Sequence, residues 1–345
     1  MNLNLFLKKY RLAEKCAIGD LSADHIRAAF PLTFFLHGYP TKIGVNADIL
    51  KYVDTMQELA DLNYFFNKLY LSESEKARVQ VICEVVSATT QKYLRKRVEP
   101  LIGPLATLPV ARTADVFAKI QNKKKLNIME IGSGSGYLTA HLGKMGHRVF
   151  ATDTTEGFYL WQNLFWQTLF GANYIDLVHL KTFSSFYKYN HQIIHLPWWV
   201  FYSCYKNTLP KIDLIICDHA FGEMYPYGYK YVVSLIKLLA RGNPDLFVIY
   251  ESFGETQFQG PEQLNCDLAL FDFQSKKISP FTCLLSANNK FKDAINSNEF
   301  ALCKAAGPRE NYVNAGRNCL ALNREFSPKS IEFYEFLGYK SPFTI

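Results

Sequence analysis

The stretch Asn127 to Gly136, Asn-Ile-Met-Glu-Ile-Gly-Ser-Gly-Ser-Gly, constrains the fold of this chain more than any other. A short apolar run ends in three glycines that alternate with serines, and Glu130 stands two positions before the first of them. Glycines placed where a strand gives way to a helix let the backbone turn sharply and lie bare to a ligand. Asp153 follows seventeen residues after the last glycine, at the end of a second apolar run, Arg148 to Thr152. In an open α/β sheet ligands bind where strands end and helices begin, so both features belong on one ligand-facing edge.

The pattern downstream alternates as such a sheet requires. Tyr137 to Met145 reads as a helix stopped by Gly146, and Phe158, Trp161, Leu164, Phe165 and Leu169 form the apolar face of the next, stopped by Gly171. Ile193 to Leu196 is the favoured third strand over Leu177 to Leu180. Asp213 to Cys217 is a buried parallel strand, Tyr227 to Ala240 a helix and Leu246 to Tyr250 a further strand. Residues 259–279 read as polar and irregular, and Asn318 to Asn323 as a last strand, paired with Phe300 to Lys304.

Upstream the signals are helical to about residue 98. Ile49, Tyr52, Val53, Met56, Leu59, Phe66 and Leu69 make one stripe, and Ser72 with Glu75 forms a capping box opening a second helix. Pro100, Gly103, Pro104 and Pro109 interrupt this, with a short helix expected at Thr113 to Ile120. We therefore expect an α/β Rossmann-like domain over 111–345 behind a helical portion, 1–110, that covers or shapes the acceptor site.

With 345 residues, 49% of them hydrophobic, the chain can bury a large core. The +7 charge is too diffuse to favour a nucleic-acid partner, and Lys123 to Lys125 and Arg95 to Arg97 read as solvated element ends. Eight scattered cysteines without a CxxC pair suit free thiols in a reducing compartment. No run approaches the roughly 20 apolar residues of a membrane span. A cytoplasmic protein is expected; the oligomeric state stays open.

A dinucleotide-binding turn, GxGxxG, would place its third glycine at position 137, which is Tyr137. The spacing E-x-G-x-G-x-G instead resembles motif I of class I S-adenosylmethionine-dependent methyltransferases, in which the glycine turn faces the methionine part of the cofactor. The resemblance covers about 126–323. It implies a class I methyltransferase sheet, S-adenosylmethionine as cofactor, and Glu130, Gly132, Ser133, Gly134, Gly136, Asp153, Thr154 and Asp218 as its binding residues. Asp153, ending the second strand, can accept from both ribose hydroxyls.

Asp218, His219 and Glu223 follow the fourth strand and are the catalytic candidates. A hydroxyl is a poor nucleophile until its proton leaves, so His219 or Glu223 is expected as base. The segment Asp213 to Met224 is similar to one in sugar O-methyltransferases: Phe221, Glu223 and Met224 match, Ala220 stands for a serine, and Asp218-His219 replaces a different polar pair. The expected acceptor is a small polar molecule, with a sugar hydroxyl the specific candidate. A nucleic-acid methyltransferase and a catalytically silent cofactor-binding partner protein are the rivals. Trp198, Trp199, Tyr225, Tyr227 and Tyr229 are candidate stacking surfaces, though in a chain 15% aromatic such residues are more often core. His191 and His195 lack acidic or thiol partners at ligand spacing and read as structural, so no metal site is expected.

Overall fold

The computed structural model describes residues 3–31, 38–55, 71–100, 102–182, 186, 188–206, 210–218, 220–224, 226–243, 245–251, 274–277 and 282–286. Among the described residues eight strands form one sheet: β1 (Asn127–Ile131), β2 (Arg148–Asp153), β3 (Tyr174–Asp176), β4 (Ile193–Pro197), β5 (Leu214–Asp218), β6 (Phe247–Glu251), β7 (Gln274–Lys277) and β8 (Thr282–Ser286). Their order is β3-β4-β2-β1-β5-β6-β8-β7. The first six run parallel, and β8 lies antiparallel between β6 and β7. The strand order reverses at β1, which lies between β2 and β5, and opens the crevice at the carboxyl ends where ligands of such sheets bind. The apolar runs at β4 and β5 are explained by burial on both faces.

Three strands depart from the sequence reading, among them β8 at Thr282–Ser286, where it placed no element. The third strand falls at Ile193–Pro197 as favoured, but Tyr174–Asp176 adds an outer edge strand before it, too short to carry a period. The stretch read as irregular contains Gln274–Lys277, an edge strand of Gln-Ser-Lys-Lys, whose polarity suits an edge and hides it from an apolar search. The expected pair at 300–304 and 318–323 lies outside the described residues, as do Met56, Leu59, Phe66 and Leu69.

The N-terminal helices are α1 (Leu3–Ile18), α2 (Ala23–Ala28), α3 (Asn46–Val53) and α4 (Glu73–Leu94), followed by α5 (Ile102–Ala106) and α6 (Leu108–Ile120). The capping box forms: Ser72 Oγ accepts from Glu75 N–H, and Glu75 Oε2 from Ser72 N–H at 2.9 Å. Arg112 of α6 pairs with the same Glu75, holding its carboxyl down at about 2 against the cost of burial. α6 starts at Leu108 with Pro109 in its first turn and so crosses residue 110.

Behind the strands stand α7 (Tyr137–Lys144) and α8 (Glu156–Phe170), then α9 (Trp198–Phe201), α10 (Ala220–Glu223) and α11 (Pro226–Gly242). One hydrophobic core includes Phe6 and Tyr10 of α1, Tyr52 of α3, Trp161 and Trp166 of α8, and the sheet. α8 is buried nearly all round in its first three turns, which accounts for its aromatic density.

Candidate functional site

The glycine turn has the backbone that its sequence demands. Gly132, Gly134 and Gly136 have φ of +76°, +53° and +82°, a region side chains rarely adopt. A Cβ on Gly132 would collide with Ala220, and one on Gly136 with the Trp166 indole. Above Gly134 no atom of the described residues, its chain neighbours aside, lies within 4 Å of where a Cβ would stand, so the middle of the turn is open to them.

The outer carbonyls of this turn are held by one helix. Gln162 Nε2 donates to Gly134 O at 2.6 Å, Trp161 Nε1 to Ser135 O at 3.0 Å, and Trp166 Nε1 to Gly136 O at 3.0 Å. Gly132 N–H and Ser133 N–H donate back to Thr152 O. The Ser133 hydroxyl also donates to Thr152 O, so it serves the turn itself. Gln162 has no signal in the sequence, because hydrophobic periodicity reads a helix face and not its polar members. Trp161 was legible as core, but its N–H was not.

Asp153, at the end of β2, binds the turn to the next helix: Oδ2 accepts from Gly134 N–H at 3.0 Å and Oδ1 from Thr155 N–H at 2.9 Å. The Thr155 hydroxyl donates to the same carboxylate. Burial raises Asp153 to about 6 despite these hydrogen bonds and one from Thr154 N–H. Glu130 sits deeper, 2% exposed, and accepts from the Thr139 hydroxyl. Burial, with smaller contributions from Asp218 and Asp153, raises it to about 8 against the pull of the Thr139 hydrogen bond.

Across β1, Asp218 ends β5 and Glu223 lies on the short α10. Glu223 is raised to about 7, first by burial and then by Asp153 and Asp218. Glu130, Asp153, Asp218 and Glu223 thus gather near the carboxyl ends of three adjacent strands, and Asp153 and Asp218 both add to the burial that raises Glu130 and Glu223. His219 lies outside the described residues.

Trp198, Trp199 and Tyr229 are at most 4% exposed and belong to the core rather than to an open stacking surface. Tyr225 lies outside the described residues. His195 is fully buried and hydrogen-bonded, as a structural histidine should be. Among the described residues no group of three or more His, Cys, Asp or Glu could hold a metal ion.

The N-terminal helices reach this edge directly. Tyr137 Oη donates to Val53 O at 2.5 Å, and Thr55 N–H approaches Ser135 Oγ at 3.5 Å. The Tyr52 ring lies so close over Gly157 that a Cβ there would collide with it. Arg11 of α1 grips Glu156, the first residue of α8, through both carboxylate oxygens, while Ile43 N–H donates to the same group.

No family model and no curated protein sequence matches the chain. Among solved structures it is similar to the magnesium protoporphyrin IX methyltransferase of Synechocystis PCC 6803 with bound SAM (14% identity, TM-score 0.35, 60% of this chain and 95% of that one). It is also similar to the 1,6-didemethyltoxoflavin-N1-methyltransferase of Burkholderia thailandensis (16%, TM-score 0.34, 63% and 89%) and the ribosomal protein L11 methylase of Lactobacillus delbrueckii subsp. bulgaricus (18%, TM-score 0.32, 51% and 75%). At such identity the likeness is one of fold alone. The strand order stands independently of it: this is an α/β, Rossmann-like sheet preceded by helices.

Proposed function

We propose that the chain is an S-adenosylmethionine-dependent methyltransferase acting on a small polar acceptor. The observation that carries this is the sign of the site: four carboxylates gather beside a bare glycine turn. A dinucleotide would bring two anionic phosphates there. A cofactor with a sulfonium and an ammonium brings net positive charge, which lowers the cost of ionising Glu130, Asp153 and Glu223. When bound, it supplies a methyl group on a cationic sulfur that leaves as a neutral thioether.

The chain's own residues fit such a ligand. The open centre of the turn at Gly134 admits close approach to the backbone, and the Asp153 carboxylate stands beside it. Glu223, at about 7, is poised to take an acceptor proton near neutrality, and His219, next in the chain to Asp218, is the other candidate base. The match at Phe221, Glu223 and Met224 is what favours a sugar hydroxyl as the acceptor.

On this reading residues 1–110 form a helical cover and residues 111–345 the cofactor domain; the contacts of Val53 with Tyr137 of α7 and of Thr55 with Ser135 of the turn support the cover. A cytoplasmic location is part of the proposal, supported by the free thiols of Cys16, Cys83, Cys204 and Cys217. No helix among the described residues is long and apolar enough to cross a membrane.

Calorimetry with S-adenosylmethionine and with NAD tests the foundation. Binding of the former alone, weakened about a hundredfold or more in Asp153→Ala, is the expected result. No binding, or undiminished affinity in that variant, overturns it. Transfer of tritiated methyl to neutral sugars, set against amines and nucleic acid, tests the acceptor.

A further inference from the structure

The glycines of the turn have no side chains, and the Ser133 hydroxyl turns back to Thr152 O, so something outside the turn must orient its outer carbonyls. The hydrogen bonds behind Gln162 show what does. Gly134 O can only accept, so the Gln162 amide nitrogen must face it, which turns Gln162 Oε1 toward His195 Nε2 at 3.0 Å. That oxygen also only accepts, so His195 carries its proton on Nε2. Its Nδ1 is then bare and accepts from the Tyr174 hydroxyl at 3.0 Å. Burial holds His195 well below its ordinary titration range, so the doubly protonated ring does not compete. The imidazole is stacked on Tyr159 at 3.9 Å and meets the Trp166 ring at 4.8 Å, nearly edge-on. Trp166 in turn holds Gly136 O.

We propose that Tyr174, His195 and Gln162 form a one-way hydrogen-bond relay, from the sheet edge to Gly134, that positions the glycine turn for its cofactor. It rests on the S-adenosylmethionine reading for the ligand, and it assigns positioning roles to residues far from any reacting atom. With Trp161 and Trp166 the relay orients three successive carbonyls toward α8, while Asp153 holds Gly134 N–H from the other side. The turn is therefore set before the cofactor arrives, and its ordering cost is not charged to binding. His195 has one usable tautomer, so its role is directional and a ring of the same shape cannot replace it.

The test separates this from simple packing. Affinity for S-adenosylhomocysteine is measured by calorimetry in full-length protein carrying Gln162→Glu, His195→Phe, His195→Gln or Tyr174→Phe. A carboxylate at 162 cannot donate to Gly134 O until it is protonated. Gln162→Glu should thus bind about a hundredfold more weakly than wild type at pH 8, with the ratio shrinking about tenfold by pH 6. His195→Phe should lose about tenfold, whereas His195→Gln, whose amide nitrogen replaces the Nε2 donor, should stay within about threefold. Tyr174→Phe, at the far end, should lose least. Equal affinity of wild type, Gln162→Glu and His195→Phe, or a His195→Gln variant no better than His195→Phe, overturns the relay.

Hydrogen exchange at the Gly134 and Gly136 amides of the ligand-free protein gives a readout independent of the cofactor's identity. The relay predicts exchange about tenfold or more faster in His195→Phe than in His195→Gln, and equal rates overturn it. If wild type fails to bind the cofactor product while this exchange difference holds, the functional reading falls and the relay stands. If Gln162→Glu fails to fold, the His195 pair carries the test.

Discussion

The two sides of the strand-end crevice are built differently. On the β2 side, Gly132 to Gly136 and Asp153 are held by backbone hydrogen bonds, three α8 side chains and a buried relay behind them. On the β5 side, Asp218 ends a strand and Glu223 stands on a single helical turn, where burial first and neighbouring acids second raise Glu223. The first side suits recognition of one invariant ligand. The second suits chemistry, where a carboxyl poised near neutrality is more useful than a rigid one. Variants on the β5 side should accordingly change rate, and those on the β2 side affinity and folding.

The largest effect expected is on rate. Glu223→Gln is nearly isosteric and removes a proton acceptor; if Glu223 is the base, kcat falls about 10²-fold or more while cofactor affinity holds or changes by a few-fold. The pH–rate profile should lose its limb near 7, where the Glu223 carboxyl titrates. Turnover unchanged in this variant but abolished in His219→Ala would move the base to His219. A matching loss of cofactor affinity in Glu223→Gln would break the division between the two sides.

Next is a folding effect on the β2 side. Gly136→Ala puts a side chain at φ +82° and drives it into the Trp166 indole. The two costs together come to about 2–4 kcal/mol, read as a shift in denaturant midpoint. Gly134→Ala keeps the backbone penalty but has open space around it, so it should cost about 1–2 kcal/mol in stability and act mainly by obstructing cofactor approach. Equal stability losses at the two positions would contradict the packing difference.

The same asymmetry decides what was legible in the sequence. Glycine spacing, Glu130 and Asp153 report backbone geometry and charge at fixed strand ends, so the turn and its strand-end edge could be placed from residue types alone. β1, β2, β4, β5 and β6 carry long buried apolar runs and were found. β3 and β7 are short edge strands, and β7 is polar, so neither leaves a period to detect. The relay was hidden for another reason: Tyr174, His195 and Gln162 are separated by 12 to 33 positions, arithmetic that only a folded sheet explains. Their roles depend on which atom faces which, and residue type does not record that.

A smaller effect follows from the acids. Folded-state values raised to about 8 for Glu130, about 7 for Glu223 and about 6 for Asp153 mean that the native state binds their protons more tightly than the unfolded chain. The stability this contributes is complete below about pH 4 and is lost as pH rises through 6–8. Glu75, lowered to about 2, acts oppositely: its contribution is present above about 4.5 and disappears as pH falls toward 2. Without cofactor the melting temperature should peak near pH 5 and fall by at least about 2 °C at pH 8. Glu130→Gln should flatten that fall. A cationic ligand binds the ionised acids best, so its affinity should rise over the same interval, with protons released.

The smallest effect tests how firmly the N-terminal helices are joined to the β2 side. Arg11 is 41% exposed at its side chain while Glu156 is 1% exposed, so the pair is screened at one end and buried at the other. Arg11→Met keeps the apolar stem and deletes the fork. Glu156 would still accept from Ile43 N–H and face Lys42 at 3.3 Å, so its charge would not be stranded. A loss of only about 1 kcal/mol is expected, about 2–4 °C in melting temperature. If α1 serves to hold the start of α8 under the glycine turn, the cofactor off-rate should rise a few-fold in stopped-flow displacement while kcat at saturation stays unchanged. An off-rate equal to wild type alongside the stability loss would reduce α1 to a structural strap. A fall in kcat would instead couple the cover to the β5 side and undo the separation of recognition from chemistry.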